Sequence, residues 1–146
     1  MREKTKTKNI LILCTGNSCR SQMADGLLKH LASDKLNVYS AGTHPEPVNK
    51  LAARAMKLIG INISQNTSNR ITDYIERIEF DFIITVCDNA REICPYFPGQ
   101  NALRLHQSFD DPAKAKGTED KQLSVYVRVR DELKCYLIKF ISDHLT

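Results

Sequence analysis

The sequence predicts an α/β fold, a three-layer arrangement in which a four-stranded parallel sheet carries helices on both faces. Two observations point there. Short uninterrupted apolar runs, Ile10 to Leu13 and Phe82 to Val86, have the composition of strands buried on both faces, and segments with apolar residues at helical spacing separate them. Cysteines stand just beyond both runs, at Cys14 and Cys87, where ligands of open parallel sheets collect. At 146 residues and 42% hydrophobic content, one domain over 1–146 is expected, with 1–8 as a frayed leader.

The first run is followed by Met23, Leu27, Leu28 and Leu31 at helical spacing, so residues 14–21 form a strand-to-helix turn. Asn37 to Ser40 reads as a second strand ended by Ala41-Gly42. Val48, Leu51, Ala52, Ala55, Met56 and Ile59 mark a helix stopped at Gly60. Ile71, Ile75 and Ile78 share one face of a further helix expected from Asn69 to Ile78, with Ser68 as its cap. Phe82 to Val86 is the strongest strand, because β-branched and aromatic residues fill it. Ala102 to Leu105 supplies a short fourth strand, and Leu123, Val127, Leu133, Leu137, Phe140 and Ile141 lie along a long final helix reaching Leu145. The predicted order is β-α-β-α-α-β-α-β-α, with 87–98 assigned to neither helix nor loop.

Composition excludes several classes. The net charge of +4, from 21 basic and 17 acidic residues, is too mild to predict nucleic-acid binding, and Arg2, Lys4, Lys6 and Lys8 of the leader supply much of it. No run approaches the ~18 apolar residues of a membrane span, nor has the leader the apolar region of a signal peptide. A cytoplasmic, soluble monomer is expected. Five cysteines without a secreted framework's spacing point to catalytic or redox thiols. Cys-x4-Cys and Cys-x6-Cys do not repeat the short ligand spacing of structural zinc, and His30, His44, His106 and His144 are scattered.

The segment Cys14-Thr15-Gly16-Asn17-Ser18-Cys19-Arg20-Ser21 carries the chemistry. A cysteine at a helix N-terminus meets unpaired amides and a positive dipole end, which favour both the thiolate and an incoming anion. Gly16 is expected to relieve the backbone so that amides from Thr15 to Arg20 converge on one oxyanion, with Thr15, Gly16, Asn17, Ser18, Cys19, Arg20 and Ser21 as the expected substrate-binding loop. Arg20 can grip two oxygens, Ser21 can hydrogen-bond the Cys14 sulfur, and Asn17 can brace the loop. Cys14 alone would pass for buried filler; the Cys-x5-Arg-Ser spacing at a strand-to-helix turn makes it an anion-binding nucleophile. Cys19 is spaced as an amide donor, and Cys135 falls off the apolar face of the final helix; neither is assigned chemistry.

This segment resembles the phosphate loop of low-molecular-weight protein tyrosine phosphatases, and its continuation through Gln22-Met23-Ala24 resembles the arsenate reductases that share their fold. The likeness extends through Val38-Tyr39-Ser40-Ala41-Gly42-Thr43, Cys87-Asp88-Asn89-Ala90 with Cys94-Pro95, Phe109-Asp110-Asp111-Pro112 and Arg128-Val129-Arg130-Asp131-Glu132. It implies reduction of arsenate to arsenite in arsenic detoxification, without a tightly bound cofactor. Cys14, Cys87 and Cys94 would form a thiol-disulfide relay regenerated by thioredoxin. Breakers around Cys94, namely Asp88, Asn89, Pro95, Pro98 and Gly99, suit a segment that rearranges.

A general acid is also needed, and the long loop from Gln107 to Asp120 offers Asp110 and Asp111. The resemblance assigns the acid to Asp111, immediately before Pro112; the bland alternative is a simple Asp-Pro turn. Phosphatases of this fold tend to carry tyrosines just after this proline, whereas Ala113-Lys114-Ala115-Lys116 follows here, which favours a small inorganic oxyanion. Some arsenate reductases of this kind hold a potassium ion beside the loop, and the matching positions are Asn17, Asp25, Ser40, Thr67 and Asn69. Neutral Asn69, where a carboxylate is common, weakens the electrostatic case for that ion. The rival readings are a phosphatase with incidental thiols and a non-enzymatic sensor binding arsenite or a soft metal through Cys14, Cys87 and Cys94.

Overall fold

Strand β1, Lys8–Leu13, is apolar along its whole second half because both its faces are covered: Ile10, Leu11, Ile12 and Leu13 are all fully buried. Ile10 and Ile12 belong to the larger core and Leu11 and Leu13 to a smaller one on the opposite face, as the two-residue period of a strand requires. The computed structural model describes residues 7–74, 76–88 and 101–145. Within them β1 pairs in parallel with β2, Leu36–Ala41, and with β3, Phe82–Thr85, which in turn pairs with β4, Leu103–His106. The sheet order is β2-β1-β3-β4.

That order decides where a ligand can sit. The chain leaves β1 toward β2 and then returns across it to β3, so the direction of winding reverses between β1 and β3. A crevice opens outside the carboxyl ends of strands at such a reversal. Leu13 faces Thr85 in the register, and the ladder continues one step further, Val86 N donating to Leu13 O at 3.0 Å. Cys14 and Cys87 therefore emerge at the same end of neighbouring strands.

Among the described residues three α-helices cover the larger core: α1, Arg20–Ala32; α2, Lys50–Lys57; and α3, Glu119–His144. The α2 start follows from its cap, since the Asn49 side chain accepts from the amides of Leu51 and Ala52. Gly60, at φ +80°, ends the following turn as expected of a glycine there. The final helix starts earlier than hydrophobic spacing alone suggests. Thr118 accepts from Lys121 N, and Glu119 and Asp120 favour the positive helix end. Its buried stripe is Tyr126, Val129, Leu133, Leu137 and Phe140, and the buried Arg130 donates to Ala55 O at 2.8 Å, stapling α3 to α2. Gly26 lets α1 approach this packing closely, for a Cβ there would meet Ile63 Cγ2 at 2.8 Å.

The second face differs from the expectation of a helix over Asn69 to Ile78. Among the described residues this stretch holds a 3-10 turn at Ile71–Asp73 and a separate turn closed by Ile78 N on Tyr74 O at 3.2 Å, and the amide of Arg70 is satisfied by the Asp73 carboxylate at 2.9 Å. Ser68 does not cap it; its hydroxyl donates to Asn17 O instead. Tyr39, Tyr74 and Phe80 fill this side with edge-to-face ring contacts at 5.3–6.5 Å. Aromatic packing replaces the extra turns a full helix would supply. Ile75 and the whole of 89–100, including Cys94, lie outside the described residues.

The end of β2 is fitted against the turn after β1. Gly42 N donates to Asn69 O at 2.9 Å and Gly42 O accepts from Ile71 N at 3.3 Å, so this residue is held on both sides. A Cβ at Gly42 would lie 2.4 Å from Thr15 O, 2.8 Å from Cys14 O and 3.0 Å from Asn17 N. The contacting atoms are backbone, which cannot swing aside. Gly42→Ala is expected to lower stability by about 1–3 kcal/mol, the usual cost of overpacking, measured by urea unfolding. It should also weaken phosphate binding by about tenfold or more in calorimetry, since the displaced atoms belong to residues 14–17.

Candidate active site

The turn from Cys14 to Arg20 is shaped by where its carbonyls go. Thr15 O accepts from His44 N at 3.0 Å, Gly16 O from Glu46 N at 2.8 Å and Ser18 O from Asn49 N at 3.0 Å. Asn17 O accepts from Gln22 Nε2 at 3.0 Å and from Ser68 Oγ at 2.9 Å, and Cys19 O takes Met23 N into the first turn of α1. Across a trans peptide the N–H of the next residue points opposite to the carbonyl, and the described backbone contains no cis bond. Tethering the carbonyls of 15–19 outward thus aims the amides of 16–20 to the other side. That is an oxyanion nest at a helix start.

The backbone reversal this needs sits at Asn17, φ 48°, rather than at Gly16 as the sequence suggested. Asparagine tolerates the left-handed region, and here its side chain is held at both ends: Oδ1 accepts from Asn69 N at 2.8 Å, and Nδ2 donates to Ser21 Oγ at 2.8 Å. Ser21 Oγ lies 2.9 Å from Cys14 Sγ, as expected. Gly16 instead keeps the rim low, close to the carboxylate of Glu46 and the carbonyl of His44.

Cys14, Thr15, Gly16, Ser18, Cys19 and Arg20 line a cavity of about 170 Å³ with His44, Glu46, Asp111 and Ala113. No Phe, Tyr or Trp among the described residues lines it. The buried Arg20 guanidinium donates from Nη1 to Phe109 O at 3.2 Å and places Nη2 3.7 Å from Asp111 Oδ2. Those contacts draw the long loop over the turn. Asp111 Oδ1 also accepts from Ala113 N at 3.0 Å, capping the 3-10 turn Pro112–Lys114, so the Asp-Pro turn and a carboxyl at the cavity coexist. Asp110 is excluded from the cavity by its ion pair with Arg128 at 3.0 Å.

The thiols separate by environment. Cys14, Cys19 and Cys135 are free, and Cys14 is 1% exposed at the cavity floor. Burial pushes the Cys19 thiol up to about 12, against the smaller pull of the Ser18 hydroxyl, so it stays protonated and contributes packing. Cys135 is exposed on α3, away from this cavity. Cys87, fully buried just past β3, is disulfide-bonded. No group of three His, Cys, Asp or Glu side chains able to hold a metal occurs among the described residues. His106 bonds Thr85 Oγ1 through Nδ1, and His144 packs its ring against Phe82 and Phe140, both structural uses.

Asp25, Ser40, Thr67 and Asn69 do come together, in a separate cavity of about 360 Å³ behind the turn; Lys29 lines it too. Asn17 stands between the two spaces through its bond to Asn69 N. His44, Glu46, Gln22 and Gly42 were missed by sequence reasoning. Their contributions are backbone donors, a side-chain amide and a missing Cβ, none of which has a motif; only the proximity of Gly42 to the end of β2 hinted at a role.

Comparison with known proteins agrees with this geometry. Residues 9–144 match the family described as low molecular weight phosphotyrosine protein phosphatase. An arsenate reductase of Halalkalibacterium halodurans is 48% identical over 126 residues, covering 86% of this chain and 89% of that protein. A solved arsenate reductase in its phosphate-binding state superimposes with a TM-score of 0.77 at 29% identity, covering 94% of this chain and 98% of its own. A thioredoxin-dependent arsenate reductase of Corynebacterium glutamicum gives a TM-score of 0.59 at 26% identity, over 92% of this chain and 64% of its own. The chain belongs to the low molecular weight phosphotyrosine protein phosphatase family, in company with its arsenate reductases.

Proposed function

We propose that this protein reduces arsenate to arsenite through Cys14, Cys87 and Cys94 and is regenerated by thioredoxin. The observation that carries the reading is the pairing of a free Cys14 in an oxyanion nest with a disulfide-bonded Cys87 at the neighbouring strand end. A phosphatase needs the first and has no use for the second. The cavity's small size and its rim of Ala113, His44 and Glu46 also suit a compact inorganic anion better than an aryl ester.

In the proposed cycle the amides of residues 16–20 and Arg20 hold arsenate over Cys14. The thiolate attacks arsenic(V), a sulfur–arsenic bond forms, and one arsenic–oxygen bond breaks. Asp111 gives a proton to the departing oxygen, which leaves as water. The Cys87 thiolate then attacks the Cys14 sulfur, forming a disulfide. The sulfur–arsenic bond breaks with its electron pair left on arsenic, which departs as arsenic(III) in arsenite. Cys94 next attacks Cys87, freeing Cys14 as a thiolate, and a thioredoxin dithiol reduces the resulting Cys87–Cys94 disulfide while becoming oxidised itself. Cys94 lies outside the described residues, so its part rests on sequence.

Dependence on a dithiol carrier places the enzyme in a reducing compartment, consistent with the cytoplasm. No helix among the described residues is long and apolar enough to cross a membrane. Among the described residues the exposed large apolar side chains, Leu58 just past α2, Leu103 in β4 and Ile138 in α3, come from separate parts of the fold, in keeping with a monomer.

Purified enzyme with thioredoxin, thioredoxin reductase and NADPH is expected to oxidise NADPH only when arsenate is added; no arsenate-dependent oxidation would overturn the reading. Cys87→Ser should abolish multiple turnover while leaving any p-nitrophenyl phosphate hydrolysis nearly intact, and equal loss of both would count against the relay. Asp111→Asn should lower kcat by about 10²–10⁴-fold, the usual worth of a general acid, in the same coupled assay.

A further inference from the structure

The cavity behind the turn has the polar lining of a cation site and an occupant of its own. Asp25 supplies the only carboxylate among Asn17, Asp25, Ser40, Thr67 and Asn69, and its side chain is 6% exposed. Lys29, one turn along α1, brings its Nζ to 2.9 Å from Asp25 Oδ1 and lines the same cavity. Ser40 lines the same cavity.

The remaining oxygens are already engaged. Asn17 Oδ1 accepts from Asn69 N at 2.8 Å; Thr67 O accepts from Gln22 Nε2 at 3.0 Å and Asn69 Nδ2 at 3.2 Å; Asn69 Oδ1 accepts from Thr67 Oγ1 at 3.3 Å. A hard cation is held by several oxygens aimed at it together, with negative charge to offset its own. Here one negative charge faces an ammonium, and the neutral oxygens already accept from Asn69 N, Gln22 Nε2, Asn69 Nδ2 and Thr67 Oγ1. The set does not fit a resident potassium ion.

We propose that Lys29 is a built-in replacement for that ion, its tethered ammonium neutralising Asp25 at the anionic corner of the cavity so that the chain needs no exchangeable alkali cation there. An i,i+4 Asp-Lys pair on a helix is ordinarily a solvated surface contact. This one differs because its carboxylate is buried and its ammonium lines the same cavity as Ser40, Thr67 and Asn69. Attachment to the same helix keeps the ammonium at a high effective concentration, which free potassium would have to outcompete. A direct chain of contacts leads onward from this cavity to the nucleophile: Asn69 N to Asn17, Asn17 Nδ2 to Ser21, and Ser21 Oγ to Cys14 Sγ.

Thermal unfolding of the whole protein in potassium, sodium and choline chlorides at one ionic strength tests this without recourse to activity. The wild type should show the same Tm in all three. Lys29→Gln should lower Tm in choline chloride by about 2–4 °C, and added potassium should restore it along a saturating curve. Lys29→Arg should behave as the wild type. A saturable, potassium-specific rise in the wild-type Tm would overturn the proposal, as would a Lys29→Gln protein that gains no potassium response.

Discussion

Every backbone carbonyl of a buried turn has to find a donor, and in residues 15–19 each finds one on the outer side. That constraint organises the active-site end of the molecule. If the carbonyls turned inward, an anion would meet oxygen lone pairs; because they are tied to His44, Glu46, Gln22, Ser68, Asn49 and the first turn of α1, it meets amides instead. The nest is therefore built by its surroundings as much as by its own residues. The segment from Gly42 to Asn49, which looks like an unremarkable connection between β2 and α2, is the template on which the turn is cast.

A second constraint comes from the order of strands. Because β1 and β3 are neighbours although β2 intervenes in sequence, the thiol after β1 and the thiol after β3 are delivered to one crevice. In the proposed cycle, oxyanion capture and electron transfer would be served by these adjacent strand ends, with the long loop held at the side through Arg20, Phe109 and Asp111. The buried Arg20 ties the turn to the placement of Asp111, the proposed acid, since one guanidinium end meets the loop backbone and the other approaches the carboxylate.

Much of this was legible in sequence where a residue's chemistry is intrinsic. The strands read clearly because both their faces are buried and no polar alternation confuses them. Cys14, Asn17, Arg20 and Ser21 were assigned to one pocket by their spacing; Cys14 and Arg20 line the cavity, while Asn17 and Ser21 stand behind it, bonded to each other and through Ser21 to Cys14. Among the described residues the expected helix over Asn69 to Ile78 is reduced to a 3-10 turn at Ile71–Asp73 and a turn closed by Ile78 N on Tyr74 O, because the isoleucine spacing cannot register that Tyr39, Tyr74 and Phe80 already fill that face. Nor could sequence tell that Asn17, and not Gly16, takes the left-handed backbone, a choice made by the side-chain bonds that fix Asn17 at both ends.

By itself the sequence determined the fold class and singled out Cys14 as the expected nucleophile and an oxyanion as its expected ligand, since apolar runs, a thiol, an arginine and a helix start point that way when they occur together. The tertiary structure alone decided how Asp110 is held away from the pocket that Asp111 lines, which thiol stays protonated, and what occupies the corner beside Asp25. Those outcomes depend on burial and on partners distant in the chain or on another turn of a helix. Arg20, Arg128 and Lys29 settle them by where folding places their charges.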